Sequence, residues 1–210
     1  MKKLGVLLSG RGSNFEAIAK NIAAGKLKAE IAVVISNRPD APGLAIAKQL
    51  GINAVGIASK GIEREEFDRQ VSAILDEHQV DLVVLAGYMR LLSGEFVRRY
   101  RQRIVNIHPS LLPAFPGLDA QHQAFDYGVK VAGCTAHFVD EQLDSGPIIL
   151  QATVPVHETD TAESLTARIL TEEHRIYSEA IQLVLFGEWR IEGRRVEMVC
   201  DTDPRPQGSG

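Results

Sequence analysis

Four short apolar runs, Leu4–Leu8, Ile31–Ile35, Leu82–Ala86 and Ile104–Ile107, constrain this chain more than any other feature. Each is rich in β-branched residues and leaves neither face polar, which is the signature of buried parallel strands. Helical periodicity fills the gaps. Phe15, Ile18, Ala19 and Ile22 make an i, i+3, i+4, i+7 stripe after the first run. Phe67, Val71, Ile74 and Leu75 make another between the second and the fourth. Strands alternating with helices predict an α/β fold, a Rossmann-like open, mostly parallel sheet with helices on both faces. From Val129 to Pro155 the pattern changes to two extended runs joined by Asp144-Ser145-Gly146-Pro147, which predicts a hairpin or longer antiparallel excursion and hence an antiparallel C-terminal portion. A long helix is predicted from Thr161 to Phe186, with Asp160 and Glu163 at capping-box spacing.

The 210 residues suffice for one well-cored domain. No internal repeat or interdomain linker is visible, so residues 1–200 read as a single domain. Asp201 to Gly210, polar and rich in Pro and Gly, reads as a disordered tail. A net charge of −4 leaves no basic footprint for nucleic acid and no polybasic patch for a membrane. Cys134 and Cys200 have no metal or redox spacing and suit a reducing, cytoplasmic setting. Lys2-Lys3 followed by Leu4–Leu8 imitates a signal peptide, but that apolar run is too short and leads into a glycine-rich loop. No segment approaches the roughly 20 apolar residues that span a bilayer.

The chemistry-bearing residues gather just past strand ends: Ser9-Gly10, Asn37, Gly87-Tyr88-Met89, and Asn106 with His108. Ligands of open α/β sheets bind at that edge. Gly10-Arg11-Gly12-Ser13-Asn14 joins the first strand to the first helix, where glycines let backbone approach an anion and helix-start amides point at it. Ser13 and Glu16 have capping-box spacing. A phosphate is the natural ligand, and an ordinary tight turn is the plainer alternative. No Gly-Lys-Ser/Thr follows, so this is no P-loop. Phe15 replaces the third glycine of the dinucleotide fingerprint, and Ser36-Asn37-Arg38 offers no acid to a ribose.

In Asn106-Ile107-His108-Pro109-Ser110-Leu111-Leu112-Pro113, two prolines stiffen a non-helical loop. Asn106 and His108 share one face of a strand, so an amide and an imidazole can polarise one carbonyl and move one proton. Asp144 reads by itself as a turn former. Glu173, at i±4 from Ile169 and Tyr177, lies on the apolar stripe of the long helix, where a carboxylate is paired, faces a pocket or snorkels to solvent. Arg64 among Glu63, Glu65 and Glu66 reads as a surface ion-pair residue. Met89, Leu91 and Leu92 flank Arg90 in a segment that could be plain core leading into a helix. His137 reads as a satisfied structural histidine near the site. The six histidines show no metal-ligand spacing, and no Gly-x-Ser-x-Gly elbow is present.

Five blocks in order, Ser9 to Asn14, Leu85 to Leu92, Asn106 to Pro113, Leu143 to Pro147 and Glu173-His174, resemble the folate-dependent formyltransferases from Leu4 to about Trp189. The resemblance implies formyl transfer from 10-formyltetrahydrofolate to the amine of glycinamide ribonucleotide in purine synthesis, without a metal, by a monomer or homodimer. It assigns catalysis to Asn106, His108 and Asp144, the last as the partner of His108. It assigns the ribonucleotide to Gly12, Ser13, Asn14 and Glu173. The folate donor falls to Arg64, Met89, Arg90, Leu91, Leu92 and Asn106. Relatives often carry a histidine in the helix after Pro116-Gly117, where this chain has Gln121 with His122 beside it, so no second catalytic histidine is expected there. A methionyl-tRNA formyltransferase would need an RNA-binding domain and a basic surface, and a formyltetrahydrofolate hydrolase an N-terminal regulatory domain. This sequence displays none of these, and the dinucleotide-type alternative lacks its third glycine and acid.

Overall fold

The computed structural model describes residues 1–199, and the predicted tail from Asp201 to Gly210 lies outside the described residues. The apolar runs are strands β1 (Lys2–Leu8), β2 (Ala29–Ser36), β4 (Leu82–Leu85) and β5 (Ile104–His108), with a short β3 (Ala54–Gly56) that the sequence pattern does not announce. Between them lie α1 (Ser13–Ala23), α2 (Pro42–Gln49), α3 (Arg64–Glu77) and α4 (Gly94–Arg99). After β5 come α5 (Ala120–Tyr127), β6 (Val131–Phe138), β7 (Ile148–Pro155), α6 (Ala162–Phe186) and a final hairpin, β8 (Trp189–Glu192) and β9 (Arg195–Met198).

All nine strands of the described residues form one sheet in the order β3-β2-β1-β4-β5-β6-β7-β9-β8. The first five in that order are parallel; β6 is antiparallel to both β5 and β7, as the Val129–Pro155 pattern implies, and β9 pairs parallel to β7 and antiparallel to β8. The fold is therefore Rossmann-like α/β with an antiparallel C-terminal portion. Alternation along β1 divides the core. Leu4, Val6 and Leu8 face a layer that includes Phe15, Ile18, Ile169 and Ile176 of α1 and α6. Leu7 faces Phe67, Val71, Leu75 and Phe96 of α3 and α4. The strands are buried on both faces because each face has its own helical cover.

Two helix starts differ from the sequence reading. Gly12, left-handed at φ 80°, is the N-cap of α1, Ser13 is already helical, and no side chain caps. At α6 the capping box belongs to Thr161 and Ser164, one position beyond the Asp160–Glu163 pair. Asp160 instead accepts hydrogen bonds from the Ser164 hydroxyl and the Arg168 guanidinium.

Tyr177 locks α6 to the sheet. Its hydroxyl is buried 2.8 Å from the Leu85 carbonyl oxygen, at the end of β4, and 3.0 Å from that of Val105, in the adjacent β5. Tyr177→Phe leaves both carbonyls without this buried donor and should cost about 1–2 kcal/mol of stability in urea unfolding. A loss under about 0.5 kcal/mol, the range of neutral surface changes, would show that the hydroxyl does not hold the helix to the sheet.

Candidate active site

The strand order reverses between β1 and β4, and Ser9 sits at that crevice. Its backbone N–H donates to the Gly87 carbonyl at 3.0 Å. Its hydroxyl donates to Asn37 Oδ1 at 2.6 Å and accepts from the Met89 N–H at 2.7 Å. One short polar side chain thus ties together the segments that follow β1, β2 and β4. The sequence marks these residues only as lying past strand ends.

The glycine loop closes over the same crevice. A β-carbon at Gly12 would come within 3.1 Å of Leu8 in a backbone region that L residues rarely adopt, so this turn selects glycine. The first helical bond of α1 runs from the Glu16 N–H to the Gly12 carbonyl, so the helix leaves the amides of Ser13 and Asn14 unused. Asn14 is buried, and its Nδ2 donates to Glu173 Oε2 at 2.8 Å. Glu173 is 5% exposed, so it faces inward rather than reaching solvent from the helix edge. Burial raises its carboxyl above the ordinary value, and the hydrogen bond from Asn14 opposes the shift. Asn14 Oδ1 and His174 Nε2 are buried without a partner among the described residues.

At the end of β5 and across to β6, four polar side chains converge. His108 is buried, its Nε2 lying 2.9 Å from the Phe115 carbonyl and its Nδ1 3.5 Å from Asp144 Oδ2. Both ring nitrogens therefore face oxygens that can accept a hydrogen bond. Asp144 Oδ2 also accepts from the Gly117 N–H at 2.8 Å. His137 sits opposite Asn106 in the β5–β6 register. His137 Nδ1 lies 2.8 Å from the Phe138 carbonyl, which can only accept, so that nitrogen carries the proton. Burial lowers the tendency of His137 to protonate further. Its Nε2 is then the acceptor for Asn106 Nδ2 at 3.2 Å. That bond uses one amide hydrogen of Asn106 and leaves the other for a ligand.

Asp144 is also a turn former, left-handed at φ 48°. The turn lies so close to β6 that a β-carbon at Gly146 would overlap the Phe138 carbonyl oxygen. Phe138 in turn donates its N–H to the Pro147 carbonyl at 2.9 Å. The Leu-Asp-Ser-Gly-Pro motif is thus a geometric device: glycine allows the close approach that delivers the carboxylate to His108.

The segment after β4 is not core. Met89 is 67% and Leu91 54% exposed, whereas Leu92 packs against the α3–α4 layer. Arg90 turns inward: Nη2 donates to the Ile62 carbonyl at 3.0 Å, and the guanidinium lies over the Phe67 ring. This bond brings the segment beside the start of α3, where Arg64 is exposed and, contrary to its plain reading, makes no ion pair among the described residues. His122 pairs with Asp119 on the surface of α5. Among the described residues no group of three or more His, Cys, Asp or Glu could hold a metal ion, and no helix is long and apolar enough to cross a membrane.

The formyl transferase family profile matches residues 2–181, most of the chain. The chain belongs to this family. The formyl transferase is 45% identical over 190 residues to phosphoribosylglycinamide formyltransferase of Escherichia coli strain K12, covering 90% of this chain and 87% of that protein. It is 46% identical over 189 residues to the trifunctional purine biosynthetic protein adenosine-3 of Drosophila melanogaster, and spans 14% of that protein's length. The crystal structure of glycinamide ribonucleotide transformylase 1 from Symbiobacterium toebii aligns with a TM-score of 0.91 at 53% identity, covering 95% of each chain.

The buried Asn14–Glu173 pair gives this formyl transferase a pH-dependent liability. A carboxyl raised in the folded state costs nothing below its unfolded value and destabilises the fold as pH rises above it. Glu173→Gln keeps an acceptor for Asn14 without the charge. Its Tm should match the parent near pH 4 and exceed it by about 2–4 °C at pH 8. A Tm difference that is flat with pH would mean that Glu173 is not held against its charge.

Proposed function

We propose that this chain transfers the formyl group of 10-formyltetrahydrofolate to the amine of glycinamide ribonucleotide, a step of de novo purine biosynthesis, with residues 1–200 acting as one domain. The observation that carries the reading is the convergence of Asn106, His108 and Asp144 at one open strand end, next to a helix N-terminus with unused amides. In this reading the phosphate meets the amides and side chains of the Gly12–Ser13–Asn14 turn. A phosphate only accepts hydrogen bonds, so the orphaned Asn14 Oδ1 is better matched to a sugar hydroxyl, and Glu173 to the ribonucleotide's donors. The folate lies along Met89, Arg90, Leu91 and Leu92, with Arg64 toward its anionic tail. Water enclosed there would compete as acceptor, so both substrates must be anchored before the amine is aligned.

The substrate amine attacks the formyl carbon, and the carbonyl oxygen becomes an oxyanion. The free amide hydrogen of Asn106 and the His108 imidazolium stabilise that charge. Asp144 holds the imidazolium in place. The 3.5 Å gap to Asp144 is longer than an ordinary hydrogen bond, so the Nδ1 proton is the looser of the two. That proton travels, through a relaying water, to the departing folate nitrogen as its bond to the formyl carbon breaks. The attacking nitrogen gives up its own proton, which returns through the water to His108 Nδ1, so the ring ends as it began and the product leaves as the formamide.

Folate product should form only when glycinamide ribonucleotide is supplied; equal turnover with water alone or with charged initiator tRNA would contradict the reading. His108→Ala should lower turnover by about 10²- to 10⁴-fold while calorimetric binding of both substrates survives. Near-parental turnover would remove His108 from the mechanism.

A further inference from the structure

The turn that carries Asp144 is held from outside by the last hairpin. Arg194, between β8 and β9, donates from Nη1 to Ser145 Oγ at 3.0 Å and from Nη2 to the Ser145 carbonyl oxygen. Strand β9 runs parallel to β7 where Arg195 meets Ile148, so the hairpin is anchored to the strand that leaves the same turn. Among the described residues Arg194 makes no ion pair with a carboxylate, and its guanidinium is directed at Ser145. Behind the turn lies a cavity of roughly 400 Å³, lined by Leu112, Pro113, Asp144, Gly146, Ile148 and Arg194. Leu112, Pro113 and Ile148 wall this space, and Arg194 closes it opposite Asp144, Ser145 and Gly146.

Asp144 needs bracing. Asp144 is a single left-handed residue, tolerated for Asp but set by its turn, and the contact to His108 is already long at 3.5 Å. Gly146 and the Phe138–Pro147 hydrogen bond fix the turn from the β6 side. The next residue, Ser145, is held by the Arg194 fork and by a longer hydrogen bond that its hydroxyl donates to Gln142 Oε1 at 3.3 Å, and only Arg194 reaches it from outside the turn. We propose that Arg194 is a positioning residue for formyl transfer, keeping Asp144 against His108 by gripping Ser145. The planar fork suits this task because it engages two oxygens of one residue at once. Arg194 lies beyond residues 2–181, which the family match spans, in the C-terminal hairpin.

The inference rests on the reading of Asp144 as the partner of His108, and the test separates the two. Steady-state formyl transfer would be measured for the full-length parent, Arg194→Met, Asp144→Asn and the double variant. Arg194→Met should lower kcat by about 5- to 20-fold, as displacement of a catalytic group by a fraction of an ångström does. The KM of each substrate should stay within about twofold, and Tm within a few degrees, because the lost bonds are exposed. In the Asp144→Asn background the same substitution should cost less than about twofold, since the residue through which it acts is already disabled. Arg194→Lys should recover part of the loss, and added guanidinium ion should restore part of the activity of Arg194→Ala by entering the cavity. Unchanged kcat in Arg194→Met, or losses that simply multiply in the double variant, would overturn the role of Arg194 while leaving the function intact. A parent without formyl transfer, or a fully active Asp144→Asn, would overturn both.

Discussion

A sheet covered by helices on both faces has no room for polar side chains along its strands, only at their ends. This constraint organises the molecule. Past Lys2 and Lys3 at the start of β1, the side chains of β1, β4 and the first half of β5 are apolar, and Ser9 just after β1 and Asn106 and His108 in the second half of β5 are the polar ones. Their buried polar atoms must find partners, because leaving them unsatisfied is costly. The partners they find are each other and the neighbouring turns. The candidate active site is therefore also the hydrogen-bonded seam that closes the C-terminal edge of the sheet.

That seam separates two buried histidines a few ångströms from one carboxylate. His137 donates to a carbonyl and accepts from Asn106, and burial keeps it neutral. His108 meets two acceptors instead, and Asp144 lies nearer to it than to His137, at 3.5 Å against 4.0 Å. The two rings meet different partners, and Asn106 is oriented by His137, whose protonation burial opposes. The structural histidine thus prepares the amide that a transition-state oxygen would use.

The fold was legible where the burial was two-sided. Runs such as Leu82–Leu85 and Ile104–Ile107 can satisfy no other environment, and the Asp144–Pro147 turn divides β6 from β7 in plain view. Short elements were not legible: β3 has three residues, and α2 and α5 have eight each, too little for periodicity to rise above chance. Helix starts slipped by a residue because Gly12 caps by backbone conformation rather than by a side chain. The β8–β9 hairpin was not legible because it is half-exposed and half of its residues are charged, so no apolar run marks it. At the site, residue types and strand ends pointed to Asn106 and His108 directly. The pairing of Asn14 with Glu173 spans 159 positions and that of Arg194 with Ser145 spans 49, and no local pattern encodes either. Asp144 was legible as a turn former from its residues alone, and the structure makes it both a turn former and the neighbour of His108.

The account depends on Asp144 acting through its charge rather than through its turn. Asn tolerates the left-handed backbone about as well as Asp, so Asp144→Asn changes the charge and keeps the turn. The decisive measurement is the pH dependence of formyl transfer for parent and variant, with Tm recorded alongside. If the carboxylate maintains the His108 imidazolium, the variant's deficit should be small at acidic pH, where the ring protonates unaided, and should widen toward neutral and alkaline pH at nearly constant Tm. A deficit that is the same at every pH, or one that follows a fall in Tm, would show that Asp144 serves the fold alone.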